Sequence, residues 1–274
     1  MNMQRHSDDM NIAQETRRLL QTQRAGCEIR YFPTIDSTNR RAGQFAEEGA
    51  PDGTLVIADE QTAGRGRSGR QWVTPPKEAI SFTLILRPVM SSEKIPMVTL
   101  VMGLAVAKAA NALYGLNCCI KWPNDIVLNG KKLCGILTEM SAAGGKVNHI
   151  VIGVGINANL THFPEEIASI ATSLRLELGH GINRAELIAE VMKEFELLYE
   201  VFEKTGSLAD LKESYNSLCV NRNSPVRVLD PRGGYTGIAR GIDDSGALLV
   251  ELDDGTIRRV SSGEVSVRGI YGYV

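Results

Sequence analysis

The sequence predicts a mixed α/β domain followed by a small all-β domain. Three observations carry this. Between residues 27 and 217, short apolar strand patterns alternate with long apolar or amphipathic helical stretches. From 222 to 274 only strand patterns remain, divided by turns rich in Asp and Gly. The 274 residues are 43% hydrophobic and 23% charged, the composition of a globular chain able to build one large core or two smaller ones.

Residues 1–26 are polar apart from a short pattern of Ile12, Leu19 and Leu20, and predict a tail or one docked helix. Residues 28–32 and 54–58 read as strands, with Ser37 or Thr38 as N-cap of a helix between them. Residues 80–86 form a strand that stops before Pro88. The Ala-, Leu- and Met-rich run 97–113 predicts a buried helix; it contains Lys108 and is short for a membrane span, so no membrane is expected. Residues 118–122 make a strand ended by Pro123, and Asn129-Gly130 sets a tight turn between strands 125–128 and 133–140. Residues 149–155 are a core strand. Asn183 opens a long helix with Glu186 placed for a capping box, and Leu187, Val191, Phe195, Leu198 and Phe202 line one face. Strands at 226–229 and 247–252, with turns at 230–234, 243–246 and 253–255, suggest a small barrel. Some fifty residues make a small core, so this unit is expected to pack on the larger one.

Charge and cysteine usage narrow the function. Lys plus Arg number 30 and Asp plus Glu 32, a net charge of −2, which gives no support for a nucleic-acid partner. Five cysteines form no CxxC pair, and no signal peptide is evident, so reduced thiols in a cytoplasm are expected. Four scattered histidines form no zinc motif and no Ser-His-Asp pattern.

Three segments carry chemistry. In Gly64-Arg65-Gly66-Arg67-Ser68-Gly69-Arg70-Gln71-Trp72, arginine forks alternate with permissive glycines and end in a flat indole. This reads as a loop closing over an anionic, nucleotide-like ligand, or as a flexible basic surface loop. In Lys121-Trp122-Pro123-Asn124-Asp125, a lysine sits at a strand end, where α/β sheets bind ligands; a plain strand-terminal turn is the alternative. In Gly153-Val154-Gly155-Ile156-Asn157, two glycines allow close approach to a ligand, and Asn157 can pair with an adenine edge. Neither a dinucleotide fingerprint nor a GxxxxGK[ST] loop is present.

Taken in this order, with Ser37-Thr38-Asn39, Gln61 and Cys134-Gly135-Ile136-Leu137, the segments resemble the biotin–protein ligase family from about residue 27 to the C-terminus, including Gly263-Glu264-Val265-Ser266-Val267-Arg268. The resemblance implies an α+β fold: a mixed-sheet catalytic domain of the biotin/lipoate ligase type (27–217), with helices packed on it, and a C-terminal SH3-like domain (222–274). It also implies an ATP-dependent ligase that makes biotinyl-5'-adenylate and transfers biotin to a lysine of a biotin carboxyl carrier domain. A lipoate ligase is disfavoured because its RRxxGGGxVxHD-like segment is missing. Relatives that double as repressors carry a winged-helix domain ahead of the ligase; about 26 residues precede Cys27 here, so the monofunctional type is expected.

The resemblance assigns roles. Ser37, Thr38, Asn39 and Gln61 would hold biotin, together with Gly64, Arg65, Arg67, Lys121 and the backbone of Gly135. Arg67, Arg70, Trp72, Gly155 and Asn157 would hold ATP and the adenylate. Arg67 and Lys121 would be catalytic, with Lys121 bridging carboxylate and α-phosphate. Mg²⁺ is expected with ATP, with Asp125 as candidate ligand. Homodimerisation through an edge strand is common among relatives.

Overall fold

The computed structural model describes residues 11–144, 146–230, 233–262 and 266–269. The first ten residues, Pro231 and Arg232 of one predicted turn, and Gly263-Glu264-Val265 of the family-like terminus lie outside the described residues.

The larger unit opens with α1 (Ile12–Leu19), β1 (Ile29–Ile35), α2 (Thr38–Glu47) and β2 (Leu55–Gln61). A 3₁₀ turn at Arg67–Gly69 precedes β3 (Ile80–Leu86) and α3 (Ile95–Tyr114). Next come β4 (Cys119–Lys121), β5 (Asp125–Leu128), β6 (Lys131–Ala143) and β7 (Lys146–Ile156). Short helices α4 (Glu165–Ala168) and α5 (Leu174–Leu178) lead to α6 (Arg184–Thr205) and α7 (Lys212–Leu218). These strands form one seven-stranded sheet in the order β1-β2-β3-β7-β6-β5-β4. Only β1 and β2 pair in parallel, with α2 as the crossover between them; every other pair is antiparallel. The sheet is therefore mixed, as the family resemblance implies.

Side-chain alternation divides the sheet's two faces. Val56, Ile85 and Val151 point to α2 and pack on Ala42 and Ala46. Leu55, Ile57, Leu84, Ile150 and Ile152 point the other way, into a core shared with α1, α3 and α6. Covered on several sides, α3 has no polar face. With the turn before it (Ser92–Tyr114) it is long and apolar enough to cross a bilayer, yet here its side chains are mostly buried in protein. Asn183 caps α6 by accepting from the N–H groups of Ala185 and Glu186, while its own amide donates to Glu15 of α1. The chain after α1 is stitched to α6: the N–H groups of Gln23, Arg24 and Ala25 all donate to the Glu196 carboxylate at 2.7–2.8 Å.

The smaller unit contains β8 (Pro225–Leu229), β9 (Tyr235–Ile242), β10 (Leu248–Glu251), β11 (Ile257–Val260) and β12 (Ser266–Gly269). They form an antiparallel sheet of the SH3-like type, ordered β11-β10-β9-β8-β12, with a bulge at Leu249/Val250. It packs on the larger unit, and the predicted turn 243–246 is what docks. Gly246 (φ +78°) lies against Leu100, Met97 and Leu208, and a Cβ there would meet Leu100 at 2.4 Å. Its carbonyl accepts from Trp122 Nε1 at 3.1 Å.

Candidate active site

The α2 face of the sheet, left open beyond the N-terminus of α2, forms the floor of a cavity of about 540 Å³, within the ordinary range of about 300–1,000 Å³ for small-ligand sites. Its walls are the Gly/Arg loop, the 121–125 turn and the segment after β7.

One end is polar and tightly bonded. Ser37 is the N-cap of α2 and accepts from Arg40 N at 3.5 Å. Gln61 Oε1 accepts from both the N–H (2.9 Å) and the hydroxyl (3.0 Å) of Thr38. Its Nε2 donates to Thr74 and Ser81, each at 3.2 Å, two neighbours that sequence motifs did not single out. These bonds fix the orientation of the Gln61 amide.

Asn39 is buried beside Ser37 and Thr38. Its Nδ2 donates to Leu137 O (3.1 Å) and Glu139 (2.8 Å), and its Oδ1 accepts from Thr83 (2.8 Å). It therefore pins the first turn of α2 onto β3 and β6. This corrects the reading of Gly153, whose spare volume goes to a neighbouring side chain: a Cβ there would sit 1.9 Å from Asn39 Oδ1. Gly155 and Gly135 pair across β7 and β6, and Trp72 lies over both, at 2.5 and 3.4 Å from the positions their Cβ atoms would take. Trp72 Nε1 is buried without a hydrogen-bond partner.

The Gly/Arg loop folds back on itself. Trp72 N donates to Gly64 O (2.9 Å), and a Cβ on Gly64 would meet Trp72 O at 2.5 Å, so this position needs glycine. Arg65 bridges to Gln71 through backbone. Arg65 and Arg70 are exposed, whereas Arg67 is partly buried. Arg67 donates to Asn124 Oδ1 (2.9 Å) and to Ser262 O of the smaller unit (2.7 Å). Burial lowers its pKa from the usual arginine value, with the Asp125 charge opposing that effect.

Two lysines reach the cavity wall. Lys121, at the end of β4, is 7% exposed. Lys132, which sequence analysis did not single out, stands over the floor: its Nζ is 5.8 Å from the Trp72 ring centroid and 3.3 Å from where a Gly135 Cβ would lie. It pairs with Asp125 at 2.6 Å. Asp125 also accepts from Asn124 Nδ2 at 3.2 Å, and among the described residues no cluster of three His, Cys, Asp or Glu side chains could hold a metal. Asn157 is buried at the far end, with Nδ2 donating to Thr172 O (3.0 Å) and Lys132 O (3.4 Å).

A seven-stranded mixed sheet with an SH3-like partner, and a cavity bringing a hydrogen-bonded amide cluster together with three arginines and two lysines, suit a ligase that handles anionic substrates. Residues 31–157 match the Biotin/lipoate A/B protein ligase family, and residues 223–268 the Biotin protein ligase C terminal domain. The chain is 41% identical over 252 residues to the Bifunctional ligase/repressor BirA of Bacillus spizizenii, covering 90% of this chain and 76% of that one. It is 35% identical over 236 residues to the Biotin--[acetyl-CoA-carboxylase] ligase of Mycobacterium tuberculosis, covering 84% and 85%. The biotin protein ligase of Aquifex aeolicus, solved in complex with biotin and ATP, superposes with a TM-score of 0.78 at 30% identity, covering 89% of this chain and 99% of that one. The chain belongs to the biotin–protein ligase family.

Proposed function

We propose that the cavity joins biotin to ATP and that the adenylate then biotinylates a carrier domain of acetyl-CoA carboxylase. In the first step a biotin carboxylate oxygen bonds to the α-phosphorus, and pyrophosphate leaves with the electrons of the broken P–O bond. In the second, a carrier lysine amine attacks the acyl carbon, AMP leaves, and the amine loses a proton. Both steps ask for positioning, which can contribute about 7–11 kcal/mol, and for fixed cations near the reacting anions.

The observation that carries this reading is the convergence of Arg67, Lys121 and Lys132 on one half-apolar cavity with a glycine floor. Ser37, Thr38 and Gln61 form the polar end for the ureido ring, and Asn39 holds that end in place. Lys132 takes the bridging role that the family resemblance alone gave to Lys121. Its ammonium stands over Trp72 and Gly135, whereas Lys121 is almost wholly buried in the wall. Arg67 is the second cation, with Arg65 and Arg70 at the loop surface. Asn157, its amide N–H groups committed to backbone, offers Oδ1 to the adenine amino group. Mg²⁺ would arrive on the ATP phosphates, completed by water, because the described protein donors do not by themselves form its octahedral shell. A cytoplasmic setting suits the five free thiols, and pairing of two copies through a sheet edge is the assembly we favour.

The test is ATP–pyrophosphate exchange with biotin, lipoate or octanoate as the only acid. Exchange should require biotin; exchange with lipoate or octanoate alone would replace this reading. Lys132→Ala should lower exchange by about 10²-fold or more, the scale of one preorganised group, with biotin binding largely kept. Lys121→Ala should fall less. The reverse order would return the bridging role to Lys121.

A further inference from the structure

We propose that Arg184, at the N-terminus of α6, is a positioning residue that ties the two ligand-covering segments to one anchor. The inference rests on the ligase reading above. Arg184 pairs with Asp59 of β2 at 2.8 Å, and both side chains are nearly buried. The other Asp59 oxygen accepts from Tyr31 OH at 2.6 Å. A second guanidinium nitrogen of Arg184 donates to Ala79 O at 3.0 Å. Ala79 lies where the Gly/Arg loop re-enters the sheet, two residues before Ser81, a partner of Gln61. Lys77 N donates to Asp59 O at 3.3 Å, which fixes the same stretch of loop.

The nucleotide side meets this anchor one residue away. Asn159 N donates to Glu78 O at 2.6 Å. Its side chain exchanges two hydrogen bonds with the backbone of Ile182, at 2.8 and 3.0 Å, just before Arg184. Asn159 begins the segment that runs past Leu160 and Ile167 along the cavity. The outgoing foot of the biotin-side loop is thus held by the buried Arg184–Asp59 pair, and the root of the nucleotide-side segment is bonded to the residues on either side of it, Glu78 beside Ala79 and Ile182 before Arg184. Ordering of either segment by its ligand fixes the anchor for the other, which is positive coupling between the two ligands.

The experiment titrates biotin into the full chain, alone and with saturating α,β-methylene ATP, which cannot release pyrophosphate. The nucleotide should tighten biotin binding by a factor within the usual allosteric range of about 5–150-fold. Arg184→Ala should bring that factor close to one, and Arg184→Lys should restore part of it. A folded Arg184→Ala protein that keeps the parental factor overturns the proposal, as does a parent without coupling. If Arg184→Ala does not fold, Asn159→Ala, which cuts the other strut, decides by the same ratio. Failure of the ligase reading would show separately, as a parent with no biotin-dependent exchange.

Discussion

Gly153 and Gly155 point the same way from β7, yet each makes room for a different neighbour, and that difference predicts two phenotypes. A methyl at Gly153 would land 1.9 Å from Asn39 Oδ1, inside a buried network that has no slack. Gly153→Ala should cost about 1–3 kcal/mol of stability, read by denaturant unfolding. A methyl at Gly155 would meet the Trp72 indole at 2.5 Å, but Trp72 is partly exposed on a loop and can lift. Gly155→Ala should keep most stability and weaken ATP binding, read as a raised KM for ATP. Equal stability losses in both variants would refute the distinction. Both glycines are legible in the sequence as a G-x-G, but which neighbour fills each gap is a three-dimensional fact. Lys132 was harder to see. It follows the Asn129-Gly130 turn, where a lysine reads as a solvated hairpin charge. The β5–β6 register slips between Ile126 and Val127, so that Leu133 is the extra residue opposite them. A bulge of this kind re-aims side chains beside active sites, and simple alternation cannot foresee it.

Among the elements, most strands of the central sheet were readable as apolar runs, although β1 continues through Pro33 to Ile35, and Asn129-Gly130 has the left-handed backbone (φ +49° and +76°) its hairpin needs. The far end of β6 was not: Ser141, Ala142 and Ala143 carry little strand signal and gain their conformation from pairing with β7. α4 and α5, four and five residues long, are too short to show a helical period. The anchor beneath the Gly/Arg loop was invisible, because Tyr31, Asp59 and Arg184 lie on three separate elements. It also predicts an alkaline response. Burial, then the bond to Asp59, pushes the Tyr31 phenol from 10.0 up to about 12. A group whose pKa rises on folding supports the native state below its unfolded value and withdraws that support as pH climbs through the folded one. Stability should therefore fall between about pH 10 and 12, and Tyr31→Phe should remove that part of the loss in pH-dependent unfolding. A Tyr31→Phe profile parallel to the parent's would dismiss this role for the phenol.

At the scale of the whole molecule, one apolar core runs from Ile12 of α1 through α3 to Val226 and Leu248 of the SH3-like unit. The domain limits read from sequence therefore separate fold types, while the core is continuous. Calorimetry should give a single unfolding transition. Trp122→Phe, which removes the bond to Gly246 O, should lower stability by about 0.5–1.5 kcal/mol without splitting that transition. Two resolved transitions would mean that the units fold apart.

The same seam gives the molecule an optical property. The chain has two tryptophans, Trp72 in the ligand loop and Trp122 at the junction of the units. One indole is partly wet and lies against the cavity; the other is 1% exposed and dry. Their emission should differ in colour and in access to a soluble quencher. Replacing Trp122 with Phe would leave a protein whose fluorescence comes from the loop alone, and replacing Trp72 would leave one that glows only from the seam. The two variants together would time the arrival of ligand and the parting of the two units as separate signals.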